Sequence, residues 1–549
     1  MLADNAVSEA KGSSKSLTRS LFLAAFLVLW MLSARQGPAG DATAMVSVAR
    51  GIVTEGRLDS SYPMLGYTVE SPDGRHFSKY PLPWSLIEVP GQALERMIST
   101  AALPRPQQEV ALRLVRGLTP AVFGSLSVVL LFLAMVQAGV PRRRAMMLSV
   151  LAHGTTCLLP YLNSHYSEVF QAAMVNAAVW SLAILVRVPT GRNAVRLGLF
   201  LGILVLTKVS MIPLAAIFAV AAMFILWRDC AAASRAILAM FCAMLPPVAV
   251  MIAWNVVRLG QPLMTDYGWF LVPQTLGFPS ASTLFALLLS PGRGLVWFAP
   301  LLWLAWPGAR RAWRELDWLG LACAFGFAAT LLLHAGYTGW HGSEQWGPRY
   351  LVPMVGPLAI LVAMALHRDE PSRRFRRNAL VLLAIAGFAI NLPGMLIRYS
   401  DFFNAVPYRP YSMIHLDAGN KPLESPELDQ VYRTNYLPWF SPIPGHAWML
   451  EHAIFGGALE DDCPWAGHVT EGPLIRTPGL APRIDLWFVP DDNWDESTVT
   501  TVLALLAVMM LAGAGAAFGS IPPAESPRSS PASTPRPSSR SRDPENGIP

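Results

Sequence analysis

Charged residues are scarce in this chain, and their scarcity excludes a soluble globular protein. Only 14% of the 549 residues are charged and 53% are hydrophobic, whereas soluble domains carry about 25% charged residues. Several apolar runs approach the roughly 20 residues that a helix needs to cross a bilayer. The composition is therefore typical of a protein that crosses a membrane several times.

Cysteine is also rare, and the five cysteines are scattered along the chain. Four of them fall in or beside apolar runs, and their spacing matches neither a disulfide framework nor a Cys/His zinc site. His165, His334 and His341 likewise lack the spacing of metal ligands. The sequence therefore predicts neither a disulfide scaffold nor a metal centre.

Hydropathy predicts the fold class: an all-α polytopic membrane protein with about twelve transmembrane helices. The first apolar run is interpreted as a retained helix, because "SARQGPAG" is a poor site for removal of a signal peptide. The predicted spans are residues 17–34, 115–139, 143–160, 166–186, 195–209, 210–227, 236–257, 284–306, 316–335, 349–366, 378–397 and 498–518.

Basic residues alternate between the short loops and so predict the topology. By the positive-inside rule the basic loops face the cytoplasm, which places both termini inside. The net charge of +6 follows from this topology and does not indicate a nucleic-acid partner. The basic set is Lys11, Lys15, Arg19, Arg142, Arg143, Arg144, Arg187, Arg192, Arg196, Arg228, Arg235, Arg310, Arg311, Arg314, Arg368, Arg373, Arg374, Arg376 and Arg377. The opposite short loops carry only Lys208, Arg258, Arg293 and Arg349.

This topology divides the chain into a membrane module, residues 17–397, and flanking regions. Residues 37–115 form a long first outer loop within the module. Residues 398–497, with strand-like pieces such as "RIDLWFVP", predict a small mixed outer domain before the last span at 498–518. Residues 1–16 are a cytoplasmic N-terminus, and the Pro/Ser/Arg-rich residues 519–549 predict a disordered cytoplasmic tail.

The first outer loop carries two segments with apolar residues at helical spacing, joined by a predicted Pro-Asp-Gly turn. Such helices either lie in the membrane interface or pack on the bundle, and the sequence leaves both interpretations open. The apolar positions are Met45, Val48, Ile52 and Val53 in the first segment, and Trp84, Ile87, Leu94 and Met97 in the second.

Ionisable side chains collect at the outer ends of the predicted spans, where they are costly and tend to mark function. The four cations on the disfavoured face predict a convergent anion site, because arginine binds phosphate through two parallel contacts and lysine through a point charge. Asp41, directly after the first span, either caps the following helix or does chemistry, and the two roles are compatible. The set is Asp41, Lys79, His165, Glu168, Lys208, Arg258, Arg293, His341, Glu344 and Arg349.

The order of five motifs resembles that of the bacterial integral-membrane glycosyltransferases of the GT-C superfamily. This group includes the protein O-mannosyltransferases and the lipid A aminoarabinose transferases, and the resemblance covers about residues 17–400. The motifs are "GDATAMVSVARGIVTEGRLD", "GRHFSKYPLPWSLIEVP", "YLNSHYSEVF", "LLLSPGRGLVWFAPLL" and "GSEQWGPRYLVPMVGPL".

The resemblance implies a catalytic carboxylate just after the first span, which is Asp41 here. Many relatives have a second acidic residue next to it, whereas this chain has Ala42, and the loop lacks an Asp-x-Asp pair. A divalent metal or other cofactor is therefore not expected.

The resemblance also implies one residue for the donor, and the charged and polar groups at the outer span ends add further candidates for the donor and the acceptor. Lys79 in "SKYP" matches a residue that contacts the lipid phosphate, and Arg293, Arg349 and Arg258 are expected to join it. The sugar or the acceptor is expected to contact Glu168, His165, Tyr80, His341 and Glu344.

These features imply an enzyme of the bacterial inner membrane with its active site outside the cytoplasm. It is expected to move a sugar from a polyprenyl-phosphate carrier to a lipid, glycan or protein acceptor, with Asp41 as general base. Three alternatives stay open: a transporter or lipid flippase, an oligosaccharide polymerase or ligase, and a structural or assembly protein. Transporters typically have repeated halves and ionisable groups near the bilayer midplane. This sequence shows no internal repeat and few mid-span charges, which disfavours a transporter.

Cysteine-accessibility labelling tests the topology. We expect positions near Arg143 and Arg374 to react only from the cytoplasm, and positions near His76 and Trp465 only from outside, because the basic loops stay inside. A cytoplasmic Trp465 would contradict the order of the spans.

Overall fold

The computed structural model describes most of the chain and shows a predominantly helical protein. The described residues are 2–34, 37–38, 40–60, 64, 67–265, 268–269, 272–273, 276–342, 345–366, 373–407, 432–469, 473–477, 479–489, 500–501, 504 and 508. The predicted last span at 498–518 lies mostly outside these residues, and the predicted tail at 519–549 lies outside them entirely.

The first half of the chain forms nine helices and a hairpin within the described residues. The helices are α1 Leu2–Met31, α2 Asp41–Glu55, α3 Leu82–Thr100, α4 Arg105–Arg116, α5 Leu118–Gln137, α6 Arg142–Gly154, α7 Glu168–Arg187, α8 Gly191–Thr207 and α9 Ile212–Asp229. The antiparallel hairpin between α2 and α3 consists of β1 Thr68–Glu70 and β2 His76–Ser78.

The second half continues the helical bundle. Its helices are α10 Ala233–Leu259, α11 Ala281–Leu289, α12 Leu295–Phe298, α13 Ala305–Glu315, α14 Trp318–Ala335, α15 Val355–Ala365, α16 Arg373–Leu396, α17 Tyr399–Ala405 and α18 Pro442–Phe455. Between α10 and α11 lies a small antiparallel sheet of β3 Met264–Thr265, β4 Gly268–Trp269 and β5 Val272–Pro273.

Six helices of the described part are long and apolar enough to cross a membrane. They are Arg105–Gln137, Glu168–Arg187, Val209–Asp229, Ala233–Leu259, Trp318–Ala335 and Arg377–Leu396, and the segments Ser16–Met31 and Arg349–Ala365 are shorter apolar helices. A multi-pass membrane protein is thus supported, whereas the expected number of about twelve spans stays a prediction.

Two predicted spans are not single helices. The run predicted at 284–306 breaks after α11, where Pro291, Gly292 and Gly294 interrupt the helix, and resumes as the short α12 and a 3-10 segment, Pro300–Leu304. The run predicted at 143–160 leaves the helix at Thr155 and turns through a 3-10 segment, Leu159–Tyr161. Proline and glycine disrupt helical hydrogen bonding and therefore override the apolar pattern.

The two predicted helices of the first outer loop are α2 and α3, and the structure distinguishes their environments. In α2 the predicted apolar positions Met45 and Val48 are buried against the protein. In α3 Trp84 is buried, but Leu94 and Met97 are exposed. α2 therefore packs on the bundle, whereas the exposed side of α3 keeps the apolar character expected of an interfacial helix. The Pro-Asp-Gly turn joins β1 to β2, with Gly74 at φ 78°.

Residues 398–497, predicted to be a small mixed outer domain, are called the second outer region below. They contain no strand among residues 398–407, 432–469, 473–477 and 479–489. The strand interpretation of "RIDLWFVP" is therefore wrong for residues 483–489. The segment is tied to the end of α1 instead. The Trp487 backbone N–H donates to the Ser33 carbonyl at 3.1 Å, and its indole Nε1 donates to the Met31 carbonyl at 2.9 Å. These bonds satisfy its polar groups without a partner strand.

Helices α8 and α10 approach each other closely because α8 presents glycines one turn apart. A Cβ added to Gly198 would lie 2.0 Å from the Met240 carbonyl oxygen, and one added to Gly202 would lie 2.8 Å from that of Met244. Such small residues at a spacing of four let helix backbones meet in membranes. The pair therefore depends on the absence of side chains at these two positions.

We expect Gly198→Ala to destabilise the protein by about 1–3 kcal/mol, the usual cost of overpacking. Gly154→Ala is the matched control, because a Cβ on Gly154 meets nothing within 4 Å. The measurement is thermal unfolding of the purified proteins in detergent, and equal stability of the two variants would contradict the close approach of α8 and α10.

Candidate active site

Asp41 is the first residue of α2, directly after the segment that leaves α1. It does not cap the helix: Gly40, at φ 54°, holds the N-cap position, and no side-chain cap hydrogen bond is present. The Asp41 carboxylate instead points to a second part of the chain and keeps 18% of its side chain exposed. The capping interpretation is therefore wrong, and the carboxylate is available for another role.

Arg349 joins Asp41 to Glu168. Its guanidinium donates to Asp41 Oδ2 at 2.6 Å through one terminal nitrogen and to Glu168 Oε1 at 2.7 Å through Nε. The side chains of Arg349 and Glu168 are 5% and 1% exposed. Because Arg349 begins the 3-10 segment before α15 and Glu168 begins α7, this ion triad ties together three segments that are far apart in sequence.

Further polar groups complete the triad. The Lys208 ammonium lies 4.5 Å from the centre of the Tyr350 ring and contributes its charge to the field at Asp41. Glu168 Oε2 is buried and has no hydrogen-bond partner among the described residues. Two carboxylates and two cations thus converge at one end of the bundle, whereas the predicted anion site of all four cations stays a prediction.

The charges around Asp41 keep it ionised. Burial alone would raise the pKa of Asp41, but the Arg349 guanidinium, a hydrogen bond from the Tyr80 hydroxyl and the Lys208 ammonium together lower it below the usual 3.8. Asp41 is therefore a carboxylate throughout the neutral range, with its orientation set by two hydrogen-bond donors.

A cavity of about 310 Å³ opens beside the triad, at the lower end of the ~300–1,000 Å³ typical of small-molecule sites. Asp41 and Arg349 lie in its wall together with His165. The other side comes from the end of α16 and the second outer region. Its wall there includes Arg398, Tyr399, Ser400 and Asp485.

Lys79 and Arg258 meet at the turn that follows β2. The Lys79 ammonium lies 5.4 Å and 5.2 Å from the ring centres of Tyr67 and Tyr80. Arg258 is buried and donates to the carbonyl oxygens of Ser78, at 3.2 Å, and of Lys79. The geometry thus makes Arg258 the support of the Lys79 turn, and its direct contact with a phosphate stays a prediction.

Arg293 has a similar supporting position. It is buried and donates to Asn435 Oδ1 at 2.7 Å, to the Gly347 carbonyl at 3.0 Å and to the Tyr399 hydroxyl at 3.2 Å. These bonds hold the break after α11 against the loop that leads into Arg349. Its predicted contact with a phosphate is untested, and the observed contacts are those of a positioning residue.

The remaining predicted residues are dispersed. His341 packs edge-on against Trp340, and burial together with Arg293 lowers the pKa of His341 to about 4. It does not line the cavity beside Asp41. Glu344 lies outside the described residues. His165 lines the cavity and bonds to Glu88, a residue that sequence patterns did not reveal.

Tyr166 and Gln345 are site residues that sequence reasoning missed. The Tyr166 ring lies 5.1 Å from the Arg349 guanidinium carbon, and the Tyr166 hydroxyl accepts a hydrogen bond from Gln345 Nε2. Both stand next to predicted residues, inside "NSHYSEVF" and "GSEQWGPRY", so proximity to these motifs was the available signal. Asp485 had no such signal.

The carboxylates of the site fit a cation poorly because Arg349 already lies between them. Asp41 and Glu168 each accept a hydrogen bond from the same guanidinium. Among the described residues no three His, Cys, Asp or Glu side chains lie close enough to hold a metal ion. The expectation that no cofactor is used stays a prediction.

No protein-family model matches the chain, and no curated protein matches it in sequence. Solved structures are similar to it, including ArnT from Cupriavidus metallidurans bound to undecaprenyl phosphate. That structure shows 14% identity and a TM-score of 0.45, over 91% of this chain and 74% of the other. The apo state of the same ArnT shows 18% identity and a TM-score of 0.41, over 68% and 63%.

An oligosaccharyltransferase from Archaeoglobus fulgidus, tethered to an acceptor peptide, is also similar. It shows 13% identity and a TM-score of 0.39, over 69% of this chain and 54% of the other. Because all of these likenesses are distant, the activity of this chain is argued from its own site.

Removal of the Glu168 carboxylate tests the ion triad. We expect Glu168→Ala to destabilise the protein by about 3–5 kcal/mol, because Arg349 then loses one of two buried anionic partners. The control is Glu315→Ala, which removes an exposed partner of Arg311 at 3.0 Å and should cost at most about 1 kcal/mol. If Glu168→Ala and Glu315→Ala lose the same free energy of unfolding in denaturant, Asp41 alone is sufficient to hold Arg349.

Proposed function

We propose that this protein is a GT-C-type membrane glycosyltransferase. It transfers a sugar from a polyprenyl-phosphate carrier to a hydroxyl group of a lipid, glycan or protein. One observation carries the proposal: an ionised carboxylate, Asp41, and a guanidinium, Arg349, lie side by side in the wall of a cavity at one end of a membrane bundle. A base and a phosphate-binding cation are what this reaction requires.

Asp41 acts on the acceptor. As the hydroxyl oxygen attacks the anomeric carbon, its proton needs a base within hydrogen-bond reach, and a carboxylate supplies one. Arg349 and Tyr80 both hydrogen-bond to Asp41 and fix its direction. A fixed base is effective because the correct geometry exists before the substrate arrives.

Lys79 and Arg349 act on the donor. The departing polyprenyl phosphate gains negative charge, and pre-positioned cations stabilise that charge in the transition state. Tyr80 links the two groups, because its ring lies under the Lys79 ammonium while its hydroxyl bonds Asp41. Arg258 and Arg293 support this arrangement by holding the turn at Lys79 and the loop before Arg349.

The position of the charges favours a transferase over a transporter. Transporters bind substrates near the bilayer midplane, at discontinuous helices of repeated halves. Here Asp41, Glu168 and Arg349 all stand at the beginnings of helical segments and converge at one end of the bundle. We place this end at the outer face of the bacterial inner membrane, as the distribution of basic loops predicts.

The direct test is transfer by the purified protein, supplied with a panel of polyprenyl-phosphate sugars and with lipid, glycan and peptide acceptors. A single sugar moved from a monophosphate carrier supports the proposal. Extension of a carrier-linked chain would identify an oligosaccharide polymerase or ligase instead. Absence of transfer with every donor, together with absence of polyprenyl-phosphate binding, would overturn the proposal.

We expect Asp41→Asn to fold and to bind donor but to transfer sugar roughly 10²–10⁴-fold more slowly, because the amide cannot accept the proton. Asp41→Glu should recover little, since the added methylene misdirects the carboxylate. Asp73→Asn in the exposed β1–β2 turn is the control and should keep full activity. Near-normal transfer by Asp41→Asn would exclude Asp41 as the base and make Glu168 the next carboxylate to test.

A further inference from the structure

A second carboxylate, Glu88, is linked to the cavity through a hydrogen bond with His165. His165 lies in the cavity wall with Asp41, and its Nδ1 is 2.9 Å from Glu88 Oε1 on α3. The side chain of His165 is 8% exposed and that of Glu88 is 2% exposed. Because Nδ1 faces Glu88, Nε2 is the ring nitrogen left to meet a molecule in the cavity.

Glu88 is part of a polar face that α3 turns toward the protein. Glu88, Gln92 and Glu95 are one turn apart and buried. Gln92 Nε2 donates to Glu95 Oε1 at 2.8 Å, and the Arg116 guanidinium contacts Glu95 Oε2 at 3.2 Å. Buried carboxylates are costly unless they are paired. Glu95 has Arg116 as its cation, whereas the partner of Glu88 is the His165 ring.

We propose that His165, oriented by Glu88, takes up the proton that Asp41 removes from the acceptor. The inference rests on the proposed function and adds a residue to it. Two observations support this role. Arg349 is paired with Asp41 at 2.6 Å and favours the ionised carboxylate, so a proton taken up by Asp41 is readily passed on, and His165 lies in the wall of the same cavity.

The proton transfer balances as follows. The acceptor oxygen forms a bond to the anomeric carbon, and the bond from that carbon to the phosphate oxygen breaks with its electron pair on the phosphate. The acceptor O–H bond breaks, and its proton passes by way of Asp41 to His165 Nε2. The imidazolium that forms is paired with Glu88 and later releases the proton to water. Asp41 and His165 then regain their starting states.

The charged groups around His165 suit this role. Burial alone would lower the pKa of His165, but Glu88 and, more weakly, Glu95 raise it above the usual 6.5, against the opposing charge of Arg116. A proton therefore rests more readily on His165 than on Asp41. Since only the neutral ring can accept a proton, the transfer rate should rise as pH increases through the pKa of His165.

The pH dependence of transfer distinguishes this role from a structural one. We expect His165→Gln to transfer sugar at least about 10-fold more slowly. Its pH profile should lack the rising limb, that is, the increase of transfer rate with pH, because the amide does not titrate. In Glu88→Gln the hydrogen-bond acceptor remains but the charge is lost, so the limb should move to lower pH by about one unit or more. His468→Gln, an exposed histidine away from the cavity, should keep the wild-type profile.

Binding of polyprenyl phosphate is measured for each variant to confirm that the fold is intact. If His165→Gln does not bind polyprenyl phosphate, the pH profile of Glu88→Gln decides whether His165 accepts the proton. Variants that bind polyprenyl phosphate and keep the wild-type transfer rate and pH profile would overturn the proton role and leave the proposed function standing. A lower rate with an unshifted limb would overturn it as well, since a structural effect alone gives that result. A wild-type protein that neither transfers sugar from any donor nor binds polyprenyl phosphate would remove both proposals.

Discussion

The buried guanidinium of Arg349 is the interaction on which the rest of the site depends. It bonds Asp41 and Glu168 at 2.6 Å and 2.7 Å, and so it joins the starts of α2, α7 and the segment leading into α15. Charges out of water are tolerated only when they are matched. The three segments therefore cannot separate without leaving a charge unpaired, and Arg349 holds them together beside the cavity.

Arginine has the same function elsewhere at this end of the bundle. Arg258 and Arg293 are buried, and their donors reach the backbone carbonyls of Ser78, at the end of β2, and of Gly347, in the loop before Arg349. Buried carbonyl groups need donors, and the guanidinium supplies several in a rigid plane. Two of the cations that break the positive-inside pattern thus organise backbone: Arg258 holds the turn at Lys79, and Arg293 holds the loop that leads into Arg349.

Much of this arrangement could be predicted from sequence, for physical reasons that differ among residues. Topology alone brought Asp41, Glu168 and Arg349 to one face, because each follows or begins an apolar run. It could not show that Arg349 lies between the two carboxylates, since contacts across 308 and 181 residues depend on tertiary packing. The break after α11 was missed because hydropathy weights the apolar residues around Pro291 more strongly than the proline itself.

The polar network on α3 was missed for a related reason. The apolar positions Ile87, Leu94 and Met97 have helical spacing, and in a soluble helix they would face the core. Here α3 exposes Leu94 and Met97 and buries Glu88, Gln92 and Glu95. A helix at a membrane surface can reverse the usual pattern, because lipid offers its outer side an apolar environment. Hydrophobic periodicity predicted the helix but left open whether its apolar side faces the bundle or the membrane interface.

The cavity has two walls of different origin. Asp41, His165 and Arg349 come from the part of the chain before residue 397, whereas Arg398, Ser400 and Asp485 come from the part after it. Asp485 is held by Arg398 at 3.5 Å and by its own backbone bond to Leu396, with Trp487 fastened to the end of α1. The two walls are therefore joined by a few specific bonds at the ends of α1 and α16. The shape of the cavity depends on these bonds as well as on the ion triad, so it can be altered without touching Asp41 or Arg349.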